Sequence, residues 1–332
     1  MRTTKLGASG ITASVIGLGT WAIGGWGWGG TQEQESIAAI KASIDLGVTL
    51  IDTAPAYGLG LSEELIGKAI RGRRQHILIA TKCSLVWDRK HGSRFFEENG
   101  QDIYRCLTPD AIRTECEASL RRLGVDVIDL YQTHWPDDLT AIEDTVATLL
   151  ALRKQGKIRA IGVSNVSAAQ MNSYLAAGAI DTDQEQYNLI DRKVEQEQLP
   201  WCRQHKTTFL AYSAMARGLL SGSLGPDRVL AMDDHRQATP AFSVENRRLV
   251  QNFLGAIQPV ADRHQLTLGQ LALAWVVNQP GNVIALAGAR NVRQAQENAR
   301  AGSVVLNAAD LATIKTALEK HLKDFDQRWY SL

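Results

Sequence analysis

Short apolar runs alternate with longer amphipathic segments along most of this sequence. In the short runs nearly every residue is apolar, as in Ile77–Ala80, which is typical of strands covered on both faces. In the longer segments apolar residues recur every three or four positions, which is typical of helices packed along one face. The predicted strands are Val15–Leu18, Thr49–Asp52, Ile77–Thr81, Ile128–Thr133, Ile158–Val163, Asp183–Tyr187, Thr208–Tyr212 and Val283–Leu286. The helices predicted to follow them, in the same order, are Glu33–Leu46, Ser62–Ile70, Pro109–Leu123, Thr140–Gln155, Ala168–Ala177, Val194–His205, Leu266–Asn278 and Val292–Ala301.

Eight strand–helix pairs with no linker between them predict a closed parallel barrel. A length of 332 residues would allow two ordinary domains or one large α/β domain. The unbroken rhythm favours one domain over residues 1–332. We therefore expect a (β/α)8 TIM barrel with extra helices and long loops on its C-terminal face.

Three segments exceed what such a barrel needs. Ser84–Leu107 is predicted as a long polar loop after the third strand, and Ser213–Ser243 as a loop after the seventh strand that leads into an extra helix, Val244–His264. The chain from Asn307 onward predicts a final helix and a tail containing Trp329 and Tyr330. The two loops leave the C-terminal ends of strands, where barrel enzymes build their sites.

Composition and charge narrow the function classes. The 36 basic and 35 acidic residues give a net charge of +1, so no global charge favours a nucleic acid or an anionic membrane. No apolar run approaches the ~20 residues that span a bilayer, and the N-terminus lacks the apolar stretch of a secretory signal. The four cysteines are scattered, as reduced thiols are. We expect a cytoplasmic protein that binds neither nucleic acid nor membrane, and a monomer, because no exposed apolar heptad is evident.

Four residues with useful chemistry lie at or just after predicted strand ends. Asp52 ends the second strand, Tyr57 follows on its loop, Lys82 ends the third strand and His134 the fourth. Because neighbouring strand ends of a barrel meet at one face, these residues are expected to converge.

Reduction of a carbonyl requires a hydride on carbon and a proton on oxygen. These four residues could supply that proton. A tyrosine with a pKa of about 10 is a workable acid, and a nearby Lys82 would favour its phenolate. Asp52 would keep a buried Lys82 charged, and a neutral His134 could orient the carbonyl oxygen. Each residue taken singly is more often structural, as a cap, a solvated charge or a packing ring. The set together favours the chemical interpretation.

Several motifs resemble one known family. The stretch Asp52–Gly58 (DTAPAYG) followed by Ser62–Gly67 (SEELIG) resembles the signature of the aldo-keto reductases. The further matching motifs, in order, are Ile79–Lys82, Asp129–His134, Gly162–Asn165 and Gln186–Asn188. The resemblance covers nearly the whole chain and is greatest to the bacterial stress-protein and inositol-catabolism branch. It implies a (β/α)8 barrel, a nicotinamide cofactor, and a catalytic tetrad of Asp52, Tyr57, Lys82 and His134, with Tyr57 as the acid/base.

The same resemblance implies where the cofactor binds. The family uses no Rossmann domain, and the glycine-rich stretch Gly24–Gly30 lacks the strand–GxGxxG–helix context. Ser164, Asn165 and Gln186 would bind the carboxamide, and Tyr212 would stack on the nicotinamide. The other implied cofactor contacts are Gly19, Thr20, Trp21, Ser213, Met215, Arg217, Gly218, Leu219, Ser221, Gly288, Arg290, Gln294, Glu297 and Asn298.

Arg290 bears on which nicotinamide cofactor is used. A guanidinium just before a helix could pair with the adenosine 2′-phosphate, which favours NADPH/NADP+ over NADH. The plain alternative is a solvated residue at a helix start.

Tryptophans on the predicted top-face loops are the candidates for substrate contact. They are Trp21, Trp26, Trp28, Trp87 and Trp135. The plain alternative is loop packing, although Trp26 and Trp28 in a glycine-rich stretch suggest a mobile aromatic lid. An aromatic pocket of this kind favours small aldehydes, glyceraldehyde-like compounds, or glycerol-like polyols in the reverse direction.

Two other functions remain open from the residues alone. One is a nicotinamide-binding regulatory subunit without significant turnover. The other is a metal-dependent barrel hydrolase, which would need several His or Asp ligands at strand ends. Only His134 among the seven histidines clearly has such a position, so no metal is expected.

Overall fold

The structure, a computed structural model, describes residues 1–178, 180–231 and 234–329. Within this part of the chain the strands are β1 (Thr3–Lys5), β2 (Thr12–Ser14), β3 (Ile16–Gly19), β4 (Leu50–Asp52), β5 (Leu78–Cys83), β6 (Leu85–Val86), β7 (Ser93–Glu98), β8 (Gln101–Arg105), β9 (Ile128–Thr133), β10 (Ile158–Ser164), β11 (Thr182–Gln186), β12 (Thr208–Tyr212) and β13 (Val283–Gly288). The α-helices are α1 (Glu33–Asp45), α2 (Leu61–Ala69), α3 (Pro109–Leu123), α4 (Ile142–Lys154), α5 (Ala168–Ala177), α6 (Gln198–His205), α7 (Val244–Arg263), α8 (Leu268–Val277), α9 (Val292–Arg300) and α10 (Ala308–His321).

Eight of the described strands close into a parallel barrel, in the order β3-β4-β5-β9-β10-β11-β12-β13. The prediction of a (β/α)8 barrel is therefore confirmed. Most element ends lie within two residues of the predicted ones. Side chains repeat with different periods in strands and in helices, so the two kinds of element are distinct in the sequence. The sixth helix begins later than predicted, since residues Lys193–Glu195 form a separate 3₁₀ turn before α6.

The lower part of the barrel interior is apolar, and an N-terminal hairpin packs against it. Interior side chains from the barrel strands form one buried cluster with Leu6 and Ile11 of the β1–β2 hairpin. The barrel members of this cluster include Leu50, Ala80, Leu130, Ala160, Leu210, Ile284 and Leu286. The sequence pattern gave no prediction of this hairpin. Because the hairpin packs at this end of the barrel, the polar residues are left to the opposite, C-terminal end.

The prediction of a long polar loop over Ser84–Leu107 is wrong. Strands β6, β7 and β8 form a three-stranded antiparallel sheet there. The turn between β7 and β8 is Asn99-Gly100, with φ values of 52° and 78°. Positive φ at both central residues is the requirement of a tight hairpin turn, which Asn-Gly satisfies best. The Asn-Gly pair was the overlooked signal.

The C-terminal segment returns to the barrel after α10. The Asn246 amide of α7 donates to the Asp326 carbonyl at 3.0 Å and accepts from the Asp326 N–H at 3.1 Å. Trp329 is buried and packs its ring near those of Phe242 and Phe325. The predicted tail residue Tyr330 lies outside the described residues. Among the helices that the structure describes, none has both the length and the apolar character to cross a membrane.

Candidate active site

Barrel closure brings the four predicted residues together at the C-terminal strand ends. The Lys82 ammonium donates to Asp52 Oδ2 at 2.8 Å and to the Thr53 carbonyl at 2.9 Å. The same Nζ atom lies 3.4 Å from the Tyr57 hydroxyl. The rings of Tyr57 and His134 meet edge to face, with centroids 5.8 Å apart. The convergence expected from topology is therefore present in the fold.

The surroundings favour the charged form of Lys82 and the neutral form of His134. Burial lowers the pKa of Lys82, but the Asp52 carboxylate and the Tyr57 phenol raise it by more, so the ammonium is retained. Burial, and then the positive charge of Lys82, hold the pKa of His134 well below its usual value. His134 is accordingly a neutral imidazole at physiological pH, able to donate one hydrogen bond without carrying charge.

The loop that carries Tyr57 is fixed by close backbone contact with the strand-one segment. Gly58 has a φ of 67°, and a Cβ on it would lie 2.4 Å from the Gly24 carbonyl oxygen. A Cβ on Gly24 would lie 2.6 Å from the carbonyl carbon of Tyr57. Two glycines are needed here because only their absent side chains allow the two backbones to approach this closely.

Two buried amides that the sequence reasoning missed complete the surroundings of Asp52. Gln132 and Gln184 donate to Asp52 Oδ1 at 3.2 and 2.8 Å. They lie on β9 and β11, across the barrel interior from β4. Gln132 is a polar residue in a largely apolar strand, whereas β11 (TDQEQ) is polar throughout although largely buried, and the partner the two glutamines share is visible only in the folded barrel.

Of the residues predicted at the nicotinamide, Ser164, Asn165 and Tyr212 are joined by hydrogen bonds beside His134. Asn165 adopts a left-handed φ of 59°. Its Nδ2 donates to the His134 carbonyl at 2.9 Å and to Ser164 Oγ at 3.0 Å. The Tyr212 hydroxyl donates to Asn165 Oδ1 at 2.8 Å. Gln186 donates to Asp191 at 2.9 Å.

The strand ends on the far side of Asp52 are nearly free of side chains. Gly288 of β13 pairs with Gly19 of β3, and Gly19 pairs with Asp52. The Thr20 hydroxyl donates to the Asp52 carbonyl at 2.9 Å, which ties the strand-one loop to β4. Glycines, Tyr212 and the Asn165 amide therefore border the barrel mouth beside Asp52.

The segment after β12 carries six of the predicted cofactor contacts. Ser213 and Met215 lie on the turn before the 3₁₀ helix Ala216–Ser221, and the other four predicted residues lie within that helix: Arg217, Gly218, Leu219 and Ser221. Ser213 and Arg217 both have left-handed φ values, 52° and 51°. The buried Arg217 guanidinium lies 5.4 Å from the Trp21 ring centroid and donates to the Trp329 carbonyl at 3.1 Å. Its charge is therefore held beside Trp21 by the C-terminal tail.

Arg290 contacts the glycine-rich loop of residues 25–30. Its guanidinium donates to the carbonyls of Trp28 and Gly30 at 2.7 and 2.9 Å. The Arg290 N–H donates to Gln294 Oε1 at 2.8 Å.

The other residues predicted near the adenosine lie on α9. The Asn298 amide donates to the Gly288 carbonyl at 2.9 Å. Glu297 accepts from Arg293 at 3.2 Å. The predicted adenosine side is thus built from β13 and α9, with Arg290 also linked to the strand-one loop.

The five predicted tryptophans divide into two groups. Trp28 meets the rings of Trp21 and His235 at 5.3 and 4.8 Å. Trp26 stacks on Phe96 of β7 at 5.4 Å. Trp87 and Trp135 pack in a cluster with residues of the β6–β8 sheet that also includes Phe96, so Trp26 belongs with this second group.

This barrel and its lysine–carboxylate–phenol–imidazole cluster define an oxidoreductase of carbonyl and alcohol groups. Comparison with known proteins agrees, because residues 15–319 match the model of the aldo/keto reductase family. The chain belongs to the aldo/keto reductase family. Within the described residues no group of three or more His, Cys, Asp or Glu is placed to hold a metal ion.

Relatives and solved structures are similar over nearly their full lengths. The chain is 42% identical to "Aldo-keto reductase YhdN" of Bacillus subtilis, over 98% of this chain and 96% of the relative. It is 40% identical to the "NADH-specific methylglyoxal reductase" of Escherichia coli, over 96% and 99%. The structure of the glycerol dehydrogenase AKR11B4 from Gluconobacter oxydans superposes with a TM-score of 0.86 at 36% identity, over 97% and 96%. An aldo/keto reductase from Klebsiella pneumoniae in complex with NADP and acetate gives a TM-score of 0.72 at 31% identity, over 100% and 99%.

Proposed function

We propose that this chain catalyses the reversible, NADPH-dependent reduction of small aldehydes and hydroxy-carbonyls to alcohols, with oxidation of glycerol-like polyols as the reverse. The observation that carries the proposal is the contact of one ammonium, Lys82 Nζ, with both Asp52 and the Tyr57 hydroxyl, at 2.8 and 3.4 Å. The names of two relatives, a methylglyoxal reductase and a glycerol dehydrogenase, support small substrates of this class.

The four side chains divide the proton chemistry between them. When bound, the nicotinamide supplies or accepts the hydride. Tyr57 donates its proton to the carbonyl oxygen as negative charge develops there, and in the reverse direction its phenolate removes the alcohol proton. The Lys82 ammonium stabilises that phenolate, and Asp52 holds the ammonium in place. Neutral His134 donates a hydrogen bond that aligns the carbonyl oxygen with Tyr57.

The nicotinamide would be held by Ser164, Asn165 and Tyr212. An amide, a hydroxyl and an aromatic face match a ring that carries a carboxamide. The glycines at the ends of β3 and β13 leave space for that ring beside Asp52.

The experiment that tests the proposed reaction follows the absorbance of NADPH with glyceraldehyde, methylglyoxal and a panel of small aldehydes. We expect turnover by the wild-type chain and a loss of about 10²–10⁴-fold in Tyr57→Phe, which lacks the transferable proton. Tyr104→Phe on β8 is the matched control and should retain wild-type rates. Wild-type turnover by Tyr57→Phe would refute the assignment. Tight NADPH binding with no turnover on any aldehyde would instead favour a binding subunit.

The preference for NADPH rests on Arg290. Its guanidinium could leave the two loop carbonyls and pair with the adenosine 2′-phosphate, a stronger, charge-assisted partner. We expect Arg290→Ala to raise the KM for NADPH at least tenfold, equivalent to about 1.4 kcal/mol, with little change for NADH. Arg293→Ala, on the same helix, is the control. An equal rise for both cofactors would show that Arg290 only holds the loop.

The proposal extends to the setting in which the enzyme works. We propose a cytoplasmic monomer, a location supported by four cysteines that are all buried free thiols. Light scattering should give the 36.4 kDa mass of a single chain.

A further inference from the structure

We propose that Gln132 and Gln184 are positioning residues, which hold Asp52 and, through it, Lys82 in place for proton transfer at Tyr57. The inference rests on the proposed role of Tyr57. It adds two side chains that bind Asp52 and so act through it.

The two amides reach Asp52 from separate strands of the barrel. Gln132 of β9 pairs in register with Lys82 of β5, and Gln184 of β11 pairs with Ser164 of β10. Both side chains are buried, and their Nε2 atoms lie 3.2 and 2.8 Å from Asp52 Oδ1. Gln184 Nε2 also donates to Gln132 Oε1 at 3.2 Å, which joins the two amides to each other.

The two oxygens of Asp52 are thereby divided between two kinds of donor. Oδ2 accepts from the Lys82 ammonium, and Oδ1 accepts from the two amides. A carboxylate can only accept, so each glutamine must present its nitrogen to Oδ1. The layer beneath Asp52 in the barrel is apolar and includes Leu50. Without the amides Oδ1 would be a buried, charged acceptor with nothing to bond, which is unfavourable.

A glycine on the intervening strand makes room for this arrangement. Gly162 of β10 pairs with Gln132 of β9 and with Thr182 of β11. A Cβ at Gly162 would lie 2.8 Å from Gln132 Cγ and 2.3 Å from Thr182 Oγ1. Any larger residue would therefore push the Gln132 side chain away from Asp52.

The position of Asp52 matters because Lys82 is shared. The ammonium has three donors, and they point to Asp52 Oδ2, the Thr53 carbonyl and the Tyr57 hydroxyl. If Asp52 turned to satisfy Oδ1 elsewhere, Lys82 would follow it and weaken its support of the phenolate. The amides thus act on Tyr57 indirectly, through Asp52 and then Lys82.

The test compares Gln132→Leu and Gln184→Leu, which keep similar volume but remove the donors. We expect kcat to fall about tenfold in each, the size of one lost hydrogen bond to a charge. The rise of alcohol-oxidation rate with pH, which reports phenolate formation, should move about one unit to higher pH because the phenolate loses support. Thr182→Val is the matched control in the same barrel layer and should keep the wild-type rate and profile.

Gln132→Glu provides a readout that a purely structural role would not move. At low pH a protonated glutamic acid could donate to Oδ1, whereas at high pH a second carboxylate would repel Asp52. Its activity should therefore exceed that of Gln132→Leu at pH 5 and fall below it at pH 8. This variant and Gln184→Leu carry the test should Gln132→Leu fail to fold.

The outcomes separate this inference from the proposed function. Wild-type kcat and pH profile in both leucine variants, together with an inactive Tyr57→Phe, would overturn the positioning role alone. An active Tyr57→Phe would overturn the proposed proton donor. A tenfold loss of kcat in the leucine variants without any movement of the pH profile would also count against positioning.

Discussion

At the scale of single residues, the centre of the site is a lysine with no exposed surface. The Lys82 side chain is 0% exposed and its Asp52 partner 3%. A buried ion pair contributes little net stability, because the Coulombic attraction is offset by the desolvation of both charges. Removal of one partner is nevertheless costly, since the other charge is then left buried. The pair is better explained by its position against Tyr57 than by stability.

Lys82→Met tests this distinction. The single variant should lose at least about 100-fold in kcat and about 3 kcal/mol in the free energy of unfolding, because Asp52 is left buried without its cation. The double variant Asp52→Asn/Lys82→Met should recover most of the stability and none of the activity. Urea unfolding and NADPH oxidation on the same samples provide both measurements. A double variant no more stable than Lys82→Met would argue against the buried-charge explanation.

The four proposed catalytic positions were predictable because each lies at or just after the end of a buried strand within a recognisable motif. The convergence of Asp52, Lys82 and His134 follows from the rule that neighbouring strand ends of a barrel meet. Gln132 and Gln184 were not predictable as a pair, because their common partner depends on distances across the barrel. The partners of Arg290, two backbone carbonyls of another loop, carry no sequence signal.

At the scale of elements, the β6–β8 sheet links a titratable group to the Tyr57 loop. Glu98, the last residue of β7, is buried, and the nearby Gly58 N–H partly offsets the effect of that burial on its pKa. Burial raises the pKa of Glu98 to about 7. The carboxyl is thus protonated in the folded protein at pH values where it ionises in the unfolded chain.

Glu98→Gln should therefore change how stability depends on pH. Because the folded pKa is raised, the stability from this group is complete below its unfolded pKa of about 4.3 and is lost as pH rises through about 7. Relative to wild type, Glu98→Gln should gain about 2 kcal/mol more at pH 8 than at pH 5. Urea denaturation at both pH values measures this, with Glu97→Gln on the exposed side of β7 as the control. Equal gains at the two pH values would disprove the assignment.

A second element-scale feature is the contact of the strand-one loop with the segment after β12. Trp28 packs against Trp21 and His235, and the Arg236 guanidinium lies 5.3 Å from its ring centroid. His235 Nδ1 donates to the Gly27 carbonyl at 2.7 Å. The loop of residues 25–30 also accepts hydrogen bonds from Arg290. It thus bridges the segment after β12 and the start of α9, both of which carry predicted cofactor contacts.

Loosening that bridge should speed cofactor release. Trp28→Ala removes contacts worth about 0.5–1.5 kcal/mol each, so we expect the NADPH off-rate to rise about tenfold. Stopped-flow fluorescence of NADPH displacement measures the rate directly. Trp26→Ala, which loses only the stacking on Phe96, should release NADPH at nearly the wild-type rate. Equal off-rates in wild type and Trp28→Ala would exclude a lid role for this loop.

The elements that escaped prediction are those built by short antiparallel pairing. Most parallel barrel strands are buried on both faces and are rich in apolar residues, β11 (TDQEQ) being an exception, whereas half-exposed strands such as Ser93–Glu98 (SRFFEE) have a mixed composition. The hairpin β1–β2 has the same difficulty, with three residues in each strand. Composition alone could not separate such strands from loops, and only the Asn99-Gly100 turn indicated one of them.

At the scale of the whole molecule, the barrel was predictable and the path of the C-terminal tail was not. The repeated alternation of strand and helix fixes the topology, because parallel neighbours need a helical crossover. No comparable rule predicts the path of the tail. Its position depends on individual side-chain contacts, such as the two hydrogen bonds of Asn246 with the Asp326 backbone. Trp329, the last residue that the structure describes, lies beside Arg217, which links this part of the tail to the predicted cofactor segment.

Trp329→Ala tests whether the tail supports cofactor binding as well as folding. Loss of this buried ring should lower the free energy of unfolding by about 3 kcal/mol. Because the Trp329 carbonyl accepts from Arg217 Nη1 at 3.1 Å, a loosened tail should also weaken NADPH binding several-fold, while kcat at saturating NADPH stays near wild type. Arg328→Ala is the control, since its exposed side chain pairs only locally with Asp326. Fluorescence titration with NADPH at a temperature where both variants are folded separates the two effects. An unchanged dissociation constant in a destabilised Trp329→Ala would confine the tail to a structural role, because Arg217 would then hold its position without it.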